Sequence, residues 1–433
     1  MAEEWSGPAL PLSAKDLAAW EKAEQEIEAN RCGDVLIRVT DEHGKPLRDV
    51  PIRYEQRQHA FRFGVQYPYQ AQTYDLLQKA GINAATLWLG WKYVEPERGL
   101  YNWGYLEKVW NPAALWQRGL RLTAHALNWF KPRWHVLPQY LLETPLGELP
   151  RLVYEHVGHI VRRWGAYIET FELVNEPFWV EAAAINLRLE DMVRLCKATA
   201  MAVRDVLPEA RLEVNFAEIS RVPSYQIRPC DFIAALDAEG VPCDSIGLQI
   251  FENGYSVTSP PTFYRSKTFT GILQTIAKYA SLGKPLNISA LAVPSVPPGA
   301  KPPSGFKPPY GAWDEVRQAQ YLEMAYTLFF AQGEIEGITW WCPVDGRLAY
   351  IAGGGLLRED LSPKPAYHAL QQWMARHTSS GSRFTDNEGK AVIRGYAGTY
   401  DMTVGSGEMG RRFSQVIQAR EVNERVVVLS YNP

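Results

Sequence analysis

Phe171 to Val180 read FELVNEPFWV. The stretch is a short apolar strand that stops abruptly at Asn175-Glu176-Pro177. A carboxylate at the end of a buried strand costs free energy unless it has a task or a partner. One carboxylate can give or take a proton, but cleavage of a glycosidic bond usually needs two. Where the second one lies is the question this strand raises.

Working outward, apolar strand-like runs alternate with helical ones. Residues 61–67, 84–91 and 122–129 precede the run 170–176, and 211–218, 245–251, 286–293 and 337–343 follow it. Helical runs such as 189–206 and 314–332 lie between them. Eight strands with helical crossovers over about 320 residues predict an α/β fold, a parallel (β/α)8 TIM barrel. Chemistry in that fold sits at the C-terminal ends of the strands, where Glu176 falls.

The flanks have another texture. Residues 13–31 predict a helix with a capping-box-like start at Ser13 and Asp16, closed by Gly33. Residues 34–56 hold two alternating strands around a turn at Glu42-His43-Gly44-Lys45, and 383–431 alternate in the same way. Neither piece has enough strands to bury a core. Together they predict one accessory β-sandwich, immunoglobulin-like, split by the barrel. The expected division is an N-terminal helical segment 1–33, a sandwich of 34–57 plus 380–433, and a barrel of 58–379.

A net charge of −3, from 45 basic and 48 acidic residues, points to no nucleic-acid or membrane-surface partner. No window holds eighteen consecutive apolar residues, so no transmembrane span is expected. The opening MAEEWSGPAL lacks the features of a secretory leader, so the expectation is a cytoplasmic chain or one whose leader has been removed. Five scattered cysteines without C-x-x-C spacing read as buried free thiols rather than a zinc or disulfide framework. Fifteen Trp and 22 Tyr supply candidate platforms for sugar rings. The proline-rich segment 294–313 reads as an ordered wall or lid beside the site.

Several motifs resemble glycoside hydrolase family 10, the retaining endo-xylanases, across most of residues 60–375. HVGHIVRRWGAYIETFELVNE is similar to the helix and strand that lead to the family's acid/base, which the resemblance maps to Glu176, with Asn175 on the sugar 2-hydroxyl. LTAHALNWF resembles the third-strand motif and implies sugar contacts for His125 and Trp129. SIGLQIF places the family's Gln at Gln249, and ITWWCPVDG places its aromatic platform at Trp341. WKYVEPERGLYNW carries the Glu-Pro turn after strand 2, and LLREDLSPKPAYHAL resembles the closing segment. Trp134 and Trp179 follow strands 3 and 4 and are either sugar platforms or core. Asn215 is open between the same two roles.

The resemblance implies a nucleophilic glutamate at the end of strand 7, but Ile288-Ser289-Ala290-Leu291 has Ala290 there. An alanine cannot form a glycosyl-enzyme intermediate. Two origins fit: an engineered exchange of Glu for Ala that leaves an inactive form, or a natural loss that leaves a catalytically dead carbohydrate-binding barrel. Glu218 and Glu252 are the carboxylates to which a nucleophile could have moved. The polar anchors that family xylanases carry on strand 2 fall on Thr86, Leu87 and Gly90, the strand-6 His on Phe251, and the His after the strand-3 Trp on Phe130. The implied function is retaining hydrolysis of a β-linked plant-type glycan, xylan or a relative. The expected partner is an oligosaccharide or polysaccharide substrate, with no nucleic acid or membrane, and no cofactor or metal is expected. His156 and His159 read as a helix face rather than a metal pair.

Overall fold

In a computed structural model, a helix over Ala14–Arg31 runs directly into β1 (Cys32–Thr40), and β2 (Pro51–His59) follows. Then come β3 (Arg62–Gln66), β4 (Ala84–Trp88), β5 (Arg121–His125), β6 (Ile168–Asn175), β7 (Arg211–Phe216), β8 (Ser245–Phe251), β9 (Leu286–Ala292) and β10 (Ile335–Trp340). The chain ends with β11 (Ser380–Phe384), β12 (Lys390–Tyr396), β13 (Gly398–Val404), β14 (Arg411–Ile417) and β15 (Val422–Val428). The structure describes residues 10–66, 71–130, 136–178, 187–217, 219, 226–252, 267–295, 309–346, 351–406 and 410–429.

β3 to β10 close into a parallel barrel, each strand beside its sequence neighbour, with β10 against β3. Strands buried on both faces need continuous apolar runs, which is why β6 reads IETFELVN with nearly every residue buried. The helix before it, Leu149–Trp164, buries Leu152, Val153, Val157, Ile160, Val161 and Trp164, the period expected of a helix with one face on a sheet. Seven of the eight barrel strands stop short of their predicted ends by one to four residues. Their last residues leave the ladder to form the mouth. Ala126 and Glu176, each just past a strand end, take positive φ of 58° and 50°.

The first helix begins as expected, with Ser13 Oγ accepting from the Asp16 amide at 3.1 Å. Its end is different. Gly33 is no helix terminator but lies inside β1, where a Cβ would stand 1.9 Å from the Gln418 carbonyl oxygen. It is a close-approach glycine.

The remaining strands form two sheets, ordered β12-β1-β15 and β11-β2-β13-β14. Each sheet mixes strands from both ends of the chain. Val35, Ile37, Ile52, Ile393, Tyr400, Met402, Val404, Ile417 and Val427, drawn from both sheets, pack into one core separate from that of the barrel. The turns in TDEHGK and TDNEGK are alike. Asp41 Oδ1 accepts from the amides of His43 and Lys45, each at 2.9 Å. Asp386 Oδ1 accepts from those of Glu388 and Lys390 at 2.8 and 2.9 Å. Each turn is followed by a strand of the other sheet: β1 leads to β2, and β11 to β12.

An aromatic knot ties this unit to the barrel. His59 at the end of β2 and His377 after the helix Pro365–Arg376 both lie near Phe330 and Tyr396, and His377 stacks on Trp373 at 4.0 Å. Burial holds both imidazoles down at about 4. Of the cysteines, Cys32, Cys196, Cys243 and Cys342 are buried, whereas Cys230 is exposed, so the buried reading fails for that one. It sits on the solvent side of the helix Pro229–Ala238, whose buried face is Phe232, Ile233 and Leu236. No described helix is long and apolar enough to cross a membrane.

Candidate active site

The strand ends converge on Glu176. Its carboxylate accepts from the Trp129 indole Nε1 at 3.1 Å, and its amide donates to the Asn215 carbonyl at 2.7 Å. Glu176 is buried with a left-handed backbone. Such strain costs on the order of 1–3 kcal/mol and persists only where the surroundings impose it. Asn175 Oδ1 accepts from Asn215 Nδ2 at 3.0 Å and from Gln249 Nε2 at 3.1 Å. Its own amide hydrogens therefore point elsewhere, with no protein partner among the described residues.

A second chain of contacts lies beneath. Glu172, two turns of the pleat before Glu176, accepts from the Ala126 amide at 3.0 Å and from Asn215 Nδ2 at 3.0 Å, and lies 2.6 Å from His125 Nδ1. With Nδ1 held by this carboxylate, Nε2 is the ring nitrogen left for a ligand. His125 Nε2 and Gln249 Oε1 are buried without a protein partner. Both are free to meet a ligand's hydroxyls. Trp341 stands edge-on to His125 at 5.6 Å and to Phe251 at 5.4 Å.

Ala290 is completely buried. Its orientation follows from a bulge in β9. The pairing with β8 slips one residue between Leu248/Ile288 and Gln249/Ala290, and the pairing with β10 slips in the same stretch. Asn287 and Ser289 face the interior, where they bond Glu213 and Asn215. Strict alternation would then turn position 290 outward. The extra residue re-aims it inward, in register with Gln249. Ala290 is thus the β9 neighbour of Gln249, whose side chain bonds Asn175, the residue before Glu176.

Below the mouth the interior is polar. Arg62, Thr86, Thr123, Glu172, Glu213 and Ser289 help line a cavity of about 30 Å³, room for one water. Burial, reinforced by the neighbouring Glu172 charge, raises the Glu213 carboxyl above its usual range. Glu252 turns away from the mouth: Tyr321, on the helix Glu315–Ala331, donates to its Oε1 at 2.9 Å. His156 Nδ1 lies 2.7 Å from Glu95 Oε2 and its ring stacks on Trp91 at 4.0 Å, a packed helix face. Among the described residues no group of three His, Cys, Asp or Glu could hold a metal.

The structure therefore brings together Glu176, Asn175, His125, Trp129, Gln249, Trp341 and Ala290. Trp134, Trp179, Glu218 and residues 296–308 of the proline-rich segment lie outside the described residues. Sequence reasoning missed Glu172, Ser289 and Trp88. Trp88 is paired in register with His125 across β4 and β5, and its ring lies 5.4 Å from that imidazole. The signal was available: Trp88 ends strand 2 of the barrel one register step from a residue already singled out.

The strand ends thus gather a carboxylate, an amide pair, an imidazole and indoles at the barrel mouth. The family model for glycosyl hydrolase family 10 matches residues 66–373. The chain belongs to that family. An endo-1,4-beta-xylanase 3 of Hypocrea jecorina is 27% identical over 171 residues, covering 38% of this chain and 47% of that protein. The anti-sigma-I factor RsgI6 of Acetivibrio thermocellus is 22% identical over 393 residues, 89% of this chain and 46% of that protein. The chain thus spans under half the length of these curated relatives. Xylanase 10B of Thermotoga petrophila, solved with xylobiose, shares the fold with TM-score 0.55 at 17% identity, over 73% of this chain and 93% of that one.

Proposed function

We propose that this chain is built for retaining hydrolysis of a β-linked plant-type glycan, xylan or a relative, and lacks the nucleophile in the form described. Glu176 is the acid/base, and position 290 is the place of the second carboxylate. The observation that supports this reading is the β9 bulge, which puts Ala290 in register with Gln249, the partner of Asn175. A retaining pair of carboxyl groups stands about 5 Å apart. In the parent reaction Glu176 would protonate the leaving oxygen while the carboxylate at 290 attacks the anomeric carbon. Water, deprotonated by Glu176, would then release the sugar with net retention. Asn175, His125 and Gln249 would hold the sugar's hydroxyls, and Trp129 and Trp341 its faces. Beside the barrel, the two-sheet unit of residues 34–57 and 380–433 is read as an immunoglobulin-like accessory sandwich, with 58–379 as the catalytic domain and 1–33 as a helical lead.

Azide tests the assignment. It is small enough to enter the space an alanine leaves and attack the anomeric carbon of an activated aryl β-xylobioside. The expected product is the α-glycosyl azide, since one inversion occurs and none follows. Absence of azide product, with the aryl glycoside bound, overturns the assignment of position 290. A second reading, a barrel that binds glycans without cleaving them, is favoured by Ala290 itself and by the regulator's name carried by the relative that matches most of this chain.

A further inference from the structure

We propose that Trp88 is a specificity-determining residue of the same site, one that grips a sugar by its flat face where hydrogen-bonding anchors are absent. The inference rests on the glycan-binding reading above. Trp88 is half-buried at the end of β4. Its ring is perpendicular to that of Trp129 at 5.5 Å, and Trp129 in turn donates to Glu176. His125 lies 5.4 Å away on its other flank. Trp88 thus borders the space where Glu176, Trp129 and His125 Nε2 converge.

Gly90 explains how the ring fits. A Cβ at position 90 would stand 3.0 Å from Cε2, Cζ2 and Nε1 of the Trp88 indole at once. Gly90 has ordinary backbone angles, φ −54° and ψ 130°, which any residue can adopt. The backbone does not require glycine there; the indole does. Any larger residue at 90 would press on the Trp88 indole, which would have to give by a few tenths of an ångström. Thr86, one layer down, faces the interior cavity, and Leu87 is buried in the barrel's apolar core. Of Thr86, Leu87, Trp88 and Gly90, it is therefore the aromatic ring of Trp88 that stands beside Trp129 and His125.

Such a surface selects its ligand by shape. β-1,4-linked xylo- and gluco-configured pyranoses have equatorial hydroxyls, so their faces present axial C–H bonds to an indole. The class of ligand is a chain of such rings.

Calorimetry on the unmodified chain with xylotriose and cellotriose tests this. Trp88→Ala and Trp88→Leu should each weaken binding by about ten-fold, while Trp88→Phe stays within about three-fold of the parent. Leu keeps bulk without a flat ring, so it separates stacking from space-filling. Gly90→Ala should lose affinity as well, because its methyl presses on the indole. If Leu binds as well as Phe, or if all variants match the parent, the role of Trp88 is overturned and the glycan-binding reading stands. If the parent binds neither trisaccharide, that reading falls and this inference with it.

Discussion

Residues at the strand ends divide into those that face a ligand and those that hold them. Asn175 spends its carbonyl oxygen on Asn215 and Gln249, and so keeps its amide hydrogens for a ligand. Glu172 fixes His125 through Nδ1, and so leaves Nε2 for a ligand. On the proposed reading, proton transfer depends on Glu176. In a chain that also carries Ala290→Glu, Glu176→Gln should lower the rate on substrates with poor leaving groups by roughly 10²–10⁴. The first step on activated aryl glycosides, which need little protonation, should fall much less. Steady-state rates on the two substrate types check this; an equal small loss on both contradicts the role. Glu176 was legible in the sequence because Asn-Glu-Pro interrupts an apolar run. Glu172 was not, since a glutamate inside an apolar strand shows its partners only once β5, β6 and β7 lie side by side.

Elements set where these residues point. All eight barrel strands were legible as apolar runs, because strands buried on both faces leave continuous hydrophobic stretches. Their ends were not, because a strand stops where its ladder partner leaves, and the partner is unknown from one sequence. The β9 bulge was equally hidden: LNISALA gives no sign that Ser289 is an extra residue. The junction of the barrel with the two-sheet unit carries a pH dependence of its own. His59 and His377 both sit at about 4 when folded, against about 6.5 in the unfolded chain. Below the unfolded value the unfolded chain takes up protons that the folded one refuses, so stability present above pH 6.5 is lost as pH falls toward 4. The loss is on the order of 2–3 kcal/mol per histidine at most. Thermal unfolding from pH 7 to pH 4 should show it, and His377→Gln should flatten the profile. A variant profile parallel to that of the parent contradicts the assignment.

The whole molecule is a barrel whose two flanks meet in one unit. Alternating strands at both ends pointed to such a unit. The interleaving did not show: β1 lies between β12 and β15, and β2 between β11 and β13, pairings that connect residues more than three hundred apart. The barrel's mouth, in contrast, could be assembled from strand ends alone, because its topology is sequential. On the proposed reading the mouth needs a second carboxylate, and the central claim is that position 290 is its place. The direct measurement is hydrolysis by the Ala290→Glu chain, followed by proton NMR on xylan, arabinoxylan, mixed-linkage glucan and an aryl β-xylobioside. The account predicts cleavage of at least one of them, with the β-anomer of the new reducing end appearing first and the α-anomer only by later mutarotation. A chain that stays inert on all four, or that releases the α-anomer first, would contradict it.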